Sequence, residues 1–177
     1  RMRPMTLFES GHTNGAVSLS ALLAGDPPRS DDPGLAVADL ADRITAGGWP
    51  AQYGRRVADA ARAARDYLEQ VRQVDVSRVA GSRRDPARIE RLLRSLARNT
   101  ATEVAISVLA ADAGGGDGSL DRHTVAEYLN ILDRLMVVED QPAWAPHLRS
   151  RASLRTSPKR HFVDPSLAVA ALGAGPE

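Results

Sequence analysis

The sequence predicts a mostly α-helical protein: a helical connector, residues 1–82, followed by a winged helix-turn-helix module with a short β-hairpin wing, residues 83–177. Three observations predict it. Apolar residues recur at helical spacing in several stretches, each opened by a capping residue and closed by glycine or a turn. After residue 82 three such stretches follow one another. Two short β-branched or aromatic runs then flank a loop rich in proline and arginine. Three helices and then a hairpin is the winged-helix order, with the third helix in the recognition position.

In the connector, Asn14-Gly15 marks a turn before Ser18, which can cap a short helix carrying Leu19, Leu22 and Leu23. The loop DPPRSDDPG ends in a helix start: Asp32 can accept from free backbone amides, and Pro33 lacks the N–H that would be orphaned at the first helical position. Val37, Leu40, Ala41 and Ile44 then recur at helical spacing until Gly47-Gly48-Trp49-Pro50 ends the helix. A helix from about Arg55 to Arg72 follows, with Val57, Ala61, Ala64, Leu68 and Val71 on one stripe whose small residues suit close packing.

In the module, Asp85-Pro86 repeats the cap-and-proline signal before the stripe Ile89, Leu92, Leu93 and Leu96. Thr100-Ala101-Thr102-Glu103 fits a capping box, in which hydroxyl and carboxylate satisfy opposite backbone donors; it predicts a helix through Val104, Val108 and Leu109 that the GGGDG run at 114–118 breaks. Asp121 opens the third helix, whose face of Val125, Leu129, Leu132 and Met136 is widened by Tyr128, Ile131 and Leu135. Met136-Val137-Val138 and His161-Phe162-Val163 are the expected wing strands, and Ser157-Pro158 turns between them. Asp164 caps a last helix with Pro165 at its first position and Leu167, Val169 and Leu172 on its buried side.

Composition narrows the function. With 23 basic and 22 acidic side chains, no global field draws the chain onto nucleic acid or anionic lipid, so any such attraction is local. Every basic residue except Lys159 is arginine and alanine is abundant, a pattern that fits the codon bias of a GC-rich genome, so the arginine number carries little weight. The absence of cysteine excludes disulfides, thiolate metal sites and a cysteine nucleophile, and is compatible with a reducing cytoplasm, the expected location. No apolar run approaches the roughly 20 residues that cross a bilayer, and no signal-peptide pattern opens the chain, so no membrane partner is expected. A start at RMRPMTLFE without methionine and an end at GAGPE predict a fragment excised from something longer.

The phrase SLDRHTVAEYLNILDRLMVVEDQPAW, followed by SPKRHFVDPSLAVAALG, closely resembles the uncharacterised domain C-terminal to the ATPase core in predicted bacterial and archaeal AAA+ superfamily ATPases. That pattern is a T-V-x-x-Y-L helix, an apolar strand and proline, then K-x-x-F-x-D, a small residue and L-A. Thr124, Val125, Tyr128, Leu129, Lys159, Phe162, Asp164, Leu167 and Ala168 match it. RPMTLFESG resembles the junction at which the core hands over to this domain. The resemblance implies a preceding P-loop ATPase domain as partner, with ATP and Mg bound there, and in relatives a nuclease-like fold following. It implies no cofactor in this fragment: a P-loop needs G-x-x-x-x-G-K-[ST], and no Gly-Lys pair exists here. Gly114-Gly115-Gly116-Asp117-Gly118 reads as a turn, and the fragment alone is not expected to hydrolyse ATP.

Nucleic-acid binding would use Arg122, His123 and Thr124 at the start of the third helix, with Arg149, Arg151, Arg155, Lys159 and Arg160 on the wing, where no acidic residue occurs from Gln141 to Val163. Against it, Arg122, His123 and Arg134 are balanced by Asp121, Glu127 and Asp133. A basic wing can equally stay solvated or dock on an acidic neighbour. His12, His123, His147 and His161 are scattered, without ligand spacing, and Asp66 with Glu69 or Asp112 with Asp117 lack an accompanying base. No catalytic or metal site is expected. Arg1 and Arg3 could sense a nucleotide in an adjoining core or form an exposed positive terminus. Trp49 and Trp144, beside prolines, are expected to pin loops onto the core, and Lys159 to serve as a wing cation or to fix Asp164. The expectation is a non-catalytic accessory domain of an AAA+ ATPase that binds DNA through its wing. The alternative is a structural module that orients the ATPase or joins copies of it in a homo-oligomer.

Overall fold

The C-terminal helix packs against three other helices and the second strand of a small sheet. In the computed structural model, which describes residues 3–27, 29–32, 34–76, 78, 85–144 and 157–175, the helices are α1 (Leu19–Leu23), α2 (Val37–Ala46), α3 (Val57–Gln70), α4 (Pro86–Arg98), α5 (Ile106–Gly114), α6 (Arg122–Arg134) and α7 (Pro165–Leu172). Strands β1 (Val138–Gln141) and β2 (Lys159–Phe162) form a small antiparallel sheet, with Val138 opposite Phe162 and Gln141 opposite Lys159. Helix α7 packs against α2, α3 and α4; α4 packs on α5, α5 on α6, and α6 on β1. One hydrophobic cluster therefore runs from Ala64 and Leu68 through Leu92, Leu109 and Leu132 to Leu167, crossing the position near residue 82 where the sequence suggests a boundary.

The cap signals explain three helix starts. Asp85 accepts from the Ala87 N–H at 2.9 Å, Asp121 from His123 at 2.9 Å and Thr124 at 3.3 Å, and Asp164 from Ser166 at 2.9 Å. The stripes behind them are buried: Ile89, Leu92, Leu93 and Leu96 on α4, and Val125, Tyr128, Ile131 and Leu132 on α6. Helix α3 buries Ala60, Ala61, Ala64 and Leu68, then widens into a π-helical turn over Val71–Asp75 that buries Val71.

Four expectations are corrected. Thr100 to Glu103 form no capping box; α5 begins at Ile106 behind Ala105. The backbone there is engaged by β2: Ala101 N–H donates to the Arg160 carbonyl at 2.8 Å and Arg160 N–H to the Thr102 carbonyl at 3.2 Å, an antiparallel bridge, while Thr102 Oγ1 turns back to Asn99. The first strand begins at Val138 and not Met136, because Met136 takes a left-handed conformation (φ +56°) that ends α6. The second strand is Lys159–Phe162.

The helix expected from Asp32 starts at Val37 behind Ala36, whose N–H is met by Asp39 at 3.0 Å; Asp32 closes a local turn onto Gly34. Its start and its apolar stripe together make the fourth correction: Val37, Leu40, Ala41 and Ile44 are exposed, and the buried residue is Thr45. Helix α1 buries nothing.

Candidate functional site

Two surfaces and one buried node carry the chemistry of this chain. The first surface is the start of α6 with the sheet. Arg122 and His123 stand exposed on the first helical turn and Thr124 is half-buried; His123 Nδ1 lies 3.7 Å from Glu127 Oε1, one turn on. Lys159 is exposed on β2. Arg160, beside it, points the other way: it is 8% exposed, its Nη1 donates to the Val104 carbonyl at 2.9 Å, and its Nε lies 3.5 Å from Asp140 Oδ1. Alternation along a strand sends neighbouring side chains to opposite faces, so Lys159 and Arg160 cannot serve one surface. Arg160 is thereby removed from the expected set of phosphate contacts; it fastens the sheet to the segment before α5. Arg149, Arg151 and Arg155 lie outside the described residues, as does His147.

The buried node joins distant parts of the chain. Asp164 is 1% exposed and accepts from Gly48 N–H at 2.7 Å, Ser166 N–H at 2.9 Å and Ser166 Oγ at 2.5 Å. Trp49 Nε1 donates to Ser166 Oγ at 3.1 Å, and the Trp49 ring packs on Tyr67 with centroids 5.8 Å apart. Three donors on one carboxylate suit a buried charge that has lost its water. Lys159 is not among these donors, so the expectation that it fixes Asp164 gives way to Gly48 and Ser166. Trp49 pins its loop as expected, whereas Trp144 is 85% exposed and pins nothing among the described residues.

The second surface is a groove of about 830 Å³ between the N-terminal segment and α2, with Met5, Leu7, Leu40, Ile44, Trp49 and Tyr53 among its lining residues. Met5 N–H reaches the Gly48 carbonyl at 2.6 Å, and Tyr53 Oη donates to the Ser10 carbonyl at 3.2 Å, holding the two walls together. Arg3, at the edge of this groove, pairs with Glu139 of β1 at 2.7 Å; that hydrogen bond holds its guanidinium pKa above the ordinary arginine value. An arginine so engaged is tied to the sheet, and Arg1 lies outside the described residues.

The family model described as a domain of unknown function (DUF8612) matches residues 37–177. The chain belongs to this family. No curated protein and no solved structure matches it, and nothing in the match links DUF8612 to AAA+ ATPases. The match starts at the first residue of α2 and runs through α7, so the α6–sheet surface and the Asp164 node fall inside it, while α1 and the N-terminal wall of the groove, Arg3 to His12, precede it.

Other constellations in the DUF8612 chain are local. Among the described residues no group of three or more histidines or carboxylates is close enough to hold a metal ion, and no helix is long and apolar enough to cross a membrane. Ser95 Oγ donates to Asp112 Oδ2 at 2.5 Å, which ties α4 to α5. Gly115–Asp117 form a 3-10 turn, and Arg91, beside Gly115, donates to the Ala113 carbonyl at 2.9 Å. Sequence reasoning reads Gly47-Gly48 as a helix stop only and misses its role as the seat of Asp164. A clue was present in two adjacent glycines where one ends a helix.

Proposed function

We propose that this DUF8612 chain is a non-catalytic accessory domain of an AAA+ family ATPase, built around a winged helix-turn-helix. The observation that carries the winged-helix reading is the bridge between Thr102 and Arg160. It places a third extended segment beside β2, so the order becomes helix α4, short strand, helices α5 and α6, then the two strands of a wing. The AAA+ assignment is supported by the resemblance of Thr124 to Leu129 and of Lys159 to Ala168 to the domain that follows such ATPase cores. ATP and Mg would be held by that core. The residues here do not fit them, because no lysine accompanies the glycines at 114–118, which close a tight turn against Arg91.

The contact residues for nucleic acid in this reading are Arg122, His123 and Thr124 on α6 and Lys159 on β2, together with Arg149, Arg151 and Arg155 from the stretch of sequence between the two strands. Arg122 and Lys159 are exposed and free to neutralise phosphate. A second reading, a protein-docking module that orients the ATPase or its oligomer, is favoured by the inward turn of Arg160 and by Glu127 beside His123.

Fluorescence anisotropy with labelled duplex and single-stranded DNA, repeated across a salt series, separates them. The nucleic-acid reading expects affinity that falls steeply with salt, with Arg122→Ala and Lys159→Ala each lowering the slope by about one. No binding at low salt would overturn it and leave protein docking.

A further inference from the structure

We propose that α1 is a strap that closes over the groove between the N-terminal segment and α2, laying Leu19, Leu22 and Leu23 against Leu40, Ile44 and Tyr53. This goes beyond the winged-helix reading and does not depend on it. Two apolar surfaces stand open in the same chain. On α1, Leu19 is 72% and Leu23 82% exposed, and no residue of the helix is buried. In the groove, Leu7, Leu40, Ile44 and Tyr53 are all exposed. A helix of five residues is far below the length of about 12 residues at which isolated helices become even marginal in water, so it needs a surface to fold against.

The charge pattern selects this occupant. From Thr13 to Gly25 the chain carries no charged residue, so the segment can enter the groove without stranding a charge away from water. The tethers deliver it there. His12, a lining residue, lies seven positions before Leu19, and Asp39, another, lies 16 positions after Leu23. At roughly 3.3–3.6 Å per residue these tethers reach about 24 Å and about 50 Å, and both are rooted in the groove itself, which keeps the local concentration of α1 high. The described residues of both tethers are exposed; a Cβ at Gly25 would meet nothing and one at Gly15 only the ring of Phe8, itself an exposed side chain. Closure would occupy the groove against any other apolar ligand.

The chain has no cysteine, so Leu22→Cys with Ile44→Cys introduces a single reporter pair. Under mild oxidation an intramolecular disulfide is expected to form well above the level of a control pair, Leu22→Cys with Arg134→Cys, whose second position lies on a helix that does not line the groove. Cross-linking only between molecules would assign the groove to a second copy, and no cross-linking above the control would leave α1 outside it; either result overturns the proposal. A second measurement uses Leu19→Ser, Leu22→Ser and Leu23→Ser together, which should fold normally because α1 buries nothing. With unchanged circular dichroism, binding of an apolar dye is expected to rise several-fold as the groove is uncovered. Unchanged or reduced dye binding overturns the strap.

Discussion

Asp164 grips Gly48 across 116 residues of chain, its Oδ2 accepting the glycine N–H at 2.7 Å. The same carboxylate caps α7 through Ser166, so one side chain fixes both the start of the last helix and the turn that ends α2. The fit is tight: Gly47 has φ +70°, and a Cβ there would sit 2.0 Å from Asp164 Oδ1.

Asp164→Ala should therefore cost more than a helix cap. Loss of the cap is worth about 0.5–2 kcal/mol, and stranding the half-buried Gly48 donor adds about 1–3 kcal/mol. Urea unfolding is expected to show about 1.5–5 kcal/mol in total. Gly47→Ala, which meets both a backbone conformation that favours glycine and the Asp164 oxygen, should lose at least about 2 kcal/mol. A loss confined to a few tenths in both variants would remove the node from any structural role.

Neighbouring cations on β2 should behave differently. Arg160→Met leaves the Val104 carbonyl without its donor and removes the ion pair with Asp140, and is expected to destabilise by about 1–3 kcal/mol, whereas Lys159→Ala should stay within about 0.5 kcal/mol. Thermal or urea melts of the two variants side by side test it; equal effects would mean that Arg160 is not engaged inward.

Apolar residues of opposite fate offer a third test. Leu167 is completely buried on α7 and Val37 is 86% exposed at the start of α2. Leu167→Ala is expected to cost about 2–5 kcal/mol through lost burial and a cavity, and Val37→Ala within about 0.5 kcal/mol. A similar loss at both positions would mean that Val37 belongs to the core.

Acid should loosen the N-terminal turn late. Glu9 accepts from Thr6 N–H and Oγ1, and the backbone hydrogen bond first, then the hydroxyl, hold its carboxyl pKa below the ordinary glutamate value. With the folded pKa depressed, the stabilisation is complete above the unfolded value and is lost as pH falls through the folded one. The Thr6 amide resonance should thus shift on acidification with a midpoint below the ordinary glutamate value. Glu9→Gln should abolish that transition; a midpoint at or above the ordinary value would show that the bond is absent.

Local signals were read well where the chain's own chemistry settles the outcome. Asp85, Asp121 and Asp164 each end up capping the helix that follows, because a carboxylate two residues before free amides finds them with little help from the rest of the fold. The stripes of α4 and α6 are buried because their leucines, isoleucines and valines are large and leave the helix with one wide apolar face. Local pattern is not decisive where a distant segment settles the outcome. Thr100 to Glu103 has the letters of a capping box, but β2 takes the N–H and carbonyl of that loop; Val37, Leu40 and Ile44 have the period of a core face, yet they stand exposed and Thr45 is the buried residue of α2.

The amino-acid sequence by itself determined the caps and buried stripes of α4 and α6, the cap of α7, the presence of two short strands and the absence of cysteine and of a P-loop motif, because these rest on contacts within a few residues or on composition. Tertiary structure alone decided which apolar stripe meets the core, that Arg160 turns inward while Lys159 faces out, and that Gly47-Gly48 receives Asp164. Each of those depends on which distant segment arrives beside the residue, and hydrophobic period and charge are the same whether a partner arrives or not.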